Sequence, residues 1–94
     1  MNQIDHIKKL AAPILQRYGV TRAGLFGSWA RGDMTGASDI DILVETGEDM
    51  SLFEFVHLKH ELEEALQRKI DLVEYQTIKP RLKPILLREE LAIL

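Results

Sequence analysis

Asp39 and Asp41 stand two apart at the head of the apolar run Ile40–Val44. On a strand successive side chains alternate faces, so the two carboxylates point the same way. Held side by side they repel, and packing alone gives no reason to build such a pair. A divalent cation between them relieves the repulsion, and hard oxygen ligands suit Mg²⁺. Upstream, Gly27-Ser28 lies where a short apolar run gives way to a polar segment, the place of a strand-to-helix turn. Glycine lets backbone come close to a bound group, a serine hydroxyl can donate to a phosphate oxygen, and a helix start offers N–H groups to an anion. A phosphate cradle followed by a metal site points to a nucleotide with its cations. A third acid, Asp71, heads a later apolar run, Leu72-Val73. If the two runs are neighbouring strands, Asp39, Asp41 and Asp71 converge at one sheet edge and can hold two Mg²⁺ ions. One ion would carry a triphosphate and clamp the departing pyrophosphate. The other would bind an acceptor hydroxyl, lower its pKa and aim it at the α-phosphorus. Asp71 is placed to act as general base for that hydroxyl.

Each of these signals has a plainer rival. A bare Asp-x-Asp is most often a turn-initiating acid followed by a solvated one. A Gly-Ser turn is commonly an ordinary strand-to-helix turn with a serine cap. The weight comes from finding both, with Asp71 downstream. Arg31, just past the turn, could reach a phosphate or Asp39, or could brace the loop through a structural ion pair; the sequence leaves both open. Trp29 reads as packing rather than as a stacking platform. His57 and His60 share a helix face, but no further ligand stands at a metal-binding spacing, so the face reads as solvated. Arg81, Lys83 and Arg88 form a basic cluster that could meet an acidic partner or a phosphate, and is otherwise a solvated face.

The elements that must position these residues follow from the pattern. Ile4, Ile7, Leu10, Ala11, Ile14, Leu15 and Tyr18 recur at three and four, which predicts a helix over 2–19, kinked or broken at Pro13. Thr21–Phe26 reads as a strand, Ser28–Arg31 as a short helix, Gly32–Gly36 as a loop and Ser38–Glu45 as a second strand. In that strand Ile40, Ile42 and Val44 face the core, and Asp39, Asp41 and Leu43 face the other way. Ser51-Leu52-Phe53-Glu54 is a capping-box pattern, opening a helix over about 51–67 with Leu52, Phe55, Val56, Leu62, Ala65 and Leu66 at helical spacing. Ile70–Tyr75 reads as a third strand, 78–84 as a breaker region, and a last helix as running to about Leu91 with Ile85, Leu86 and Leu91 inward. The expected fold is α/β of the α+β type: a small mixed sheet of about three strands, helices packed mainly on one face, and the other face left for the three acids.

Ninety-four residues with 46% hydrophobic side chains suit one domain spanning 1–94, with a modest core. The absence of cysteine fits a reducing, cytoplasmic setting. No run approaches the roughly 20 apolar residues of a membrane span, and Met1 opens a polar segment rather than a leader. A net charge of −3 argues against stable binding to a nucleic-acid backbone, which needs a broad basic face.

Taken together, Gly27-Ser28, ten intervening residues and Asp39-x-Asp41 resemble the signature of the DNA polymerase beta-like nucleotidyltransferase superfamily. The fuller strings, Phe26 to Gly32 and Ser38 to Val44, are similar to its minimal nucleotidyltransferase branch, the MNT or MntA-like antitoxins. Asp71-Leu72-Val73 matches the place of the family's third carboxylate. The resemblance covers nearly the whole chain, with no departure at a catalytic position. It implies a polymerase beta-like core. Ser28 would hold the triphosphate of ATP, with Gly27 and Arg31 beside it; Asp39 and Asp41 would bind the metals, and Asp71 would complete the set. It also implies a HEPN-domain ribonuclease toxin as partner, silenced when AMP is moved from ATP onto one of its tyrosine hydroxyls. The chain reads as a bare catalytic core, so an outside protein must bring that hydroxyl. Two other functions stand beside this one. One is a non-catalytic antitoxin that neutralises its partner by binding. The other is nucleotide transfer to a small molecule, for which relatives tend to carry an extra substrate domain.

Overall fold

Ile7, Ala11 and Leu15 recur at four-residue intervals and are buried, forming one stripe of a helix. The computed structural model describes residues 3–32, 39–47 and 49–94, and this helix, α1, spans Gln3–Arg17. Of the kink or break expected at Pro13, no break occurs: the helix runs on through it. Pro13 and Lys9 are both exposed, so the Lys9 carbonyl that loses its N–H partner is open to water. After α1 come β1 (Arg22–Phe26), α2 (Ser28–Arg31), β2 (Ile40–Glu45), α3 (Leu52–Leu66), β3 (Ile70–Glu74), a 3₁₀ turn (Tyr75–Thr77), α4 (Lys83–Glu89) and β4 (Leu91–Ala92). The expected loop positions 33–36 and the strand start at Ser38 lie outside the described residues.

The sheet is mixed, in the order β3-β2-β1-β4. β1 pairs antiparallel with β2 and with β4, and β2 pairs parallel with β3. The parallel pair needs a crossover, and α3 provides it. On one face Ala23, Leu25, Ile40, Ile42, Val44, Ile70 and Leu72 alternate inward. They join Ile7, Ala11 and Leu15 of α1, Leu58 and Leu62 of α3, and Ile93 in one core. The capping box stands as expected. The Glu54 N–H donates to the Ser51 hydroxyl at 3.1 Å, and the Ser51 N–H donates to the Glu54 carboxylate at 3.5 Å.

Three expectations need correction. A fourth strand, β4, takes Leu91 out of the last helix and pairs it with Leu25; two residues are too few to show an alternation in the sequence. Ile85 and Leu91 are not inward, being 52% and 36% exposed; Ile93 is buried instead. Leu52 and Val56 follow the helical spacing of α3, yet they are exposed, because the buried stripe of α3 begins only at Leu58.

The opposite face of the sheet carries Arg22, Gly24 and Phe26 of β1, with Asp41 and Leu43 of β2 paired to Phe26 and Gly24. Leu43 is fully buried there. A Cβ on Gly24 would collide with Cγ and Cδ of Glu90, so the glycine makes room for that side chain. The Glu90 side chain is only 6% exposed. It accepts from the Tyr75 hydroxyl and pairs with the Arg22 guanidinium at 3.2 Å, while that guanidinium lies 4.6 Å from the centre of the Tyr75 ring. Burial, and then the bond to Glu90, push the Tyr75 hydroxyl far above its ordinary pKa.

Candidate active site

In the parallel pair β2–β3, Asp41 stands opposite Asp71. Neighbouring strands lie about 4.8 Å apart, so the two carboxylates leave the same face side by side. The electrostatics register the meeting. Asp41 is held above the usual carboxylate range, first by burial, then by the charge of Asp71 and a hydrogen bond with it, and then by the charge of Asp39. Arg31 pulls in the other direction. Asp39 is exposed and immediately precedes β2. Asp71, Asp39 and Arg31 therefore all lie within electrostatic reach of Asp41.

The Gly27 turn is delivered to the same spot by β1, whose last residue, Phe26, pairs with Asp41. Gly27 has φ +69° and ψ −144°, and a Cβ there would lie 2.5 Å from Asp41 Oδ2. Both facts require glycine: the conformation is one L side chains rarely adopt, and the space is taken by a carboxylate. Gly27 is the N-cap of α2, with no side-chain cap, and Ser28 is the first helical residue. The rival reading of Ser28 as an ordinary cap is thus not what the chain builds. Ser28 lies half-buried at that turn.

Arg31 closes α2. Its Nη1 lies 4.0 Å from Glu89 Oε2 at the end of α4, and its charge reaches Asp41. The brace that the sequence left open has its partner in Glu89, and the same side chain carries positive charge toward Asp41. Trp29 is 2% exposed and belongs to the core, with the Arg68 guanidinium 5.1 Å from its ring centre. His57 and His60 are exposed on α3. Among the described residues no three His, Asp or Glu side chains form a closed set that could hold a metal ion. Asp41 and Asp71 are adjacent donors, and Asp39 stands farther out. The donor chemistry nonetheless fits a hard cation, since the charge of Asp71 disfavours that of Asp41 and a positive ion between the two would relieve it.

Glu89, Glu90 and Tyr75 were not legible as site neighbours. They reach Arg31, Gly24 and Arg22 across long sequence separations, and no local spacing signals such contacts. No helix among the described residues is long and apolar enough to cross a membrane.

Comparison with known proteins shows the family. Residues 7–93 match the family model for the nucleotidyltransferase domain. A protein of Methanocaldococcus jannaschii, assigned as a protein adenylyltransferase, is 48% identical over 91 residues, covering 97% of this chain and 98% of that one. The protein adenylyltransferase MntA of Thermococcus cleftensis is 40% identical over 74 residues, 79% of this chain and 75% of that one. Among solved structures, one assigned as a minimal nucleotidyltransferase superposes with a TM-score of 0.84 at 33% identity, over 94% of this chain and 90% of the other. A complex of tri-AMPylated Shewanella oneidensis HEPN toxin with MNT antitoxin contains a chain that superposes with a TM-score of 0.73, over 96% and 71% of the two chains; at 20% identity that likeness is one of fold.

Proposed function

Because this chain belongs to the nucleotidyltransferase domain family, we propose that it transfers AMP from ATP to a tyrosine hydroxyl of a HEPN-domain toxin, as the antitoxin of that pair. The observation that carries the reading is the meeting of Asp41, Asp71 and Gly27 at one point of the sheet. The family, the two adenylyltransferase relatives and the fold shared with an MNT antitoxin complex support it.

In this reading one minimal domain, residues 1–94, acts in the cytoplasm. Gly27 and Ser28 cradle the triphosphate: the glycine keeps the turn tight against Asp41, and the serine hydroxyl donates to a phosphate oxygen. Arg31 adds positive charge beside the phosphates and is steadied by Glu89. Asp39, Asp41 and Asp71 would hold two Mg²⁺ ions, which supply charge neutralisation of the triphosphate and acidify the acceptor hydroxyl. Asp71 takes the hydroxyl proton as general base. The tyrosine oxygen bonds to the α-phosphorus, the bond from that phosphorus to the bridging oxygen breaks, and pyrophosphate leaves. Catalysis of this kind is largely positioning and electrostatic stabilisation, which suits so small a scaffold.

The test is to incubate the chain with a HEPN-domain toxin, ATP and Mg²⁺, and to weigh that toxin. A gain of one or more AMP units is expected. An unchanged mass with toxicity still suppressed would instead establish neutralisation by binding alone.

A further inference from the structure

α4 buries none of its seven residues. So short a helix does not persist on its own in water, because nucleation costs more than a few backbone bonds return. Here it is held at its ends. The Leu82 and Lys83 N–H groups donate to the Lys79 carbonyl, Glu89 meets Arg31, and Glu90 is tied to Tyr75 and Arg22. What the tethered segment presents to solvent is apolar: Leu82 is 42% exposed, Ile85 52% and Leu87 40%. It is also basic. Residues 79–88 include Lys79, Arg81, Lys83 and Arg88 and no acid, in a chain of net charge −3. None of the four makes an ion pair among the described residues. Leu82, Ile85 and Glu89 follow at spacings of three and four, so they share a face, and Ile85 lies about 6 Å along the axis from Glu89. Glu89 touches Arg31, so this face runs up to the candidate active site.

We propose that the exposed face of α4 is where the acceptor protein docks, through an acidic segment that also carries apolar side chains. The inference rests on the protein-adenylyl reading above and names the surface that reading requires. Charge complementarity selects the occupant. On a chain of net charge −3, the run 79–88, which holds four cations and no acid, attracts an acidic segment, and its continuity through Glu89 with Arg31 sets that segment beside Asp41 and Asp71. A nucleic-acid backbone would use the cations but leave Leu82 and Ile85 without partners.

Two variants of the whole chain test this, Ile85→Glu and the double change Arg81→Glu with Arg88→Glu. Because these side chains are exposed, melting temperatures should stay close to wild type, and Ile85→Leu should behave as wild type throughout. Titration calorimetry against the HEPN-domain partner should show at least tenfold weaker association for both variants, with affinity for AMP-PNP within about twofold of wild type. Unchanged partner affinity would overturn the proposal, as would a wild-type chain that does not bind the partner. So would loss of AMP-PNP affinity with the partner unaffected, or loss of binding to a single-stranded RNA oligonucleotide with the partner unaffected. Partner binding that depends on this face, without any AMP transfer by the wild type, would uphold the docking surface and sink the catalytic reading.

Discussion

Asp41 and Asp71 occupy the same rung of the parallel pair β2–β3, so two acids thirty residues apart in the chain leave the sheet as neighbours on one face. Burial and that neighbour hold Asp41 above the usual carboxylate range. The consequence for stability has a definite sign. Below the unfolded-state value, near the model-compound 3.8, Asp41 is protonated in both states. As pH rises through the folded-state value, the folded chain must give up a proton against the field of Asp71, and stability is lost. Asp41→Asn removes that loss. In the absence of divalent cations it should melt higher than wild type at neutral pH, with the difference shrinking to nothing below about pH 4. Thermal melts in EDTA across pH 3–8 check this.

Activity should respond in the opposite sense. Asp41→Ala should reduce AMP transfer by at least a thousandfold while the fold is kept, since a group that organises developing charge in the transition state is worth several kcal/mol. Ser28→Ala should be milder, weakening ATP binding a fewfold to tenfold through loss of one phosphate hydrogen bond. Intact-mass assays of the partner with far-ultraviolet circular dichroism of each variant separate lost chemistry from lost fold.

The turn at Gly27 makes a further test. Gly27→Ala must place a methyl group against Asp41 Oδ2 in a backbone conformation that alanine resists. Strain of this kind costs about 1–3 kcal/mol, and the carboxylate must also shift. Both melting temperature and transfer should fall, the rate by at least tenfold.

Gly24 and Glu90 are coupled more simply. Glu90 cannot step aside for a new methyl group, because Tyr75 and Arg22 hold it. Gly24→Ala should therefore destabilise by about 1–3 kcal/mol, the usual cost of overpacking. Combining it with Glu90→Ala should cost less than the two single changes added together, which a double-mutant cycle of denaturant unfolding measures.

These contrasts show which parts of the molecule a sequence exposes. β2 was readable because Ile40, Ile42 and Val44 alternate with Asp39, Asp41 and Leu43, and α3 because Ser51 and Glu54 sign its start. The face that carries the site followed from the same alternation. The Asp41–Asp71 rung did not, since the register of a parallel pair is set by the crossover helix rather than by any short-range pattern. β4 is too brief to alternate. The exposure of Leu52, Val56 and Ile85 escaped notice because helical spacing tells which residues share a face, not whether anything covers it. Glu90 on Gly24 is a contact between opposite ends of the fold, visible only once β1 and the C-terminal segment are side by side.

The central claim is that Asp41 and Asp71 act together on one cation beside the Gly27 turn. Electron paramagnetic resonance of Mn²⁺ with AMP-PNP, comparing wild type and Asp71→Asn, tests it most directly. Wild type should bind Mn²⁺ in a nucleotide-dependent manner, and the variant should bind it at least tenfold more weakly while melting no lower than wild type. Equal Mn²⁺ binding by the two proteins would contradict the account.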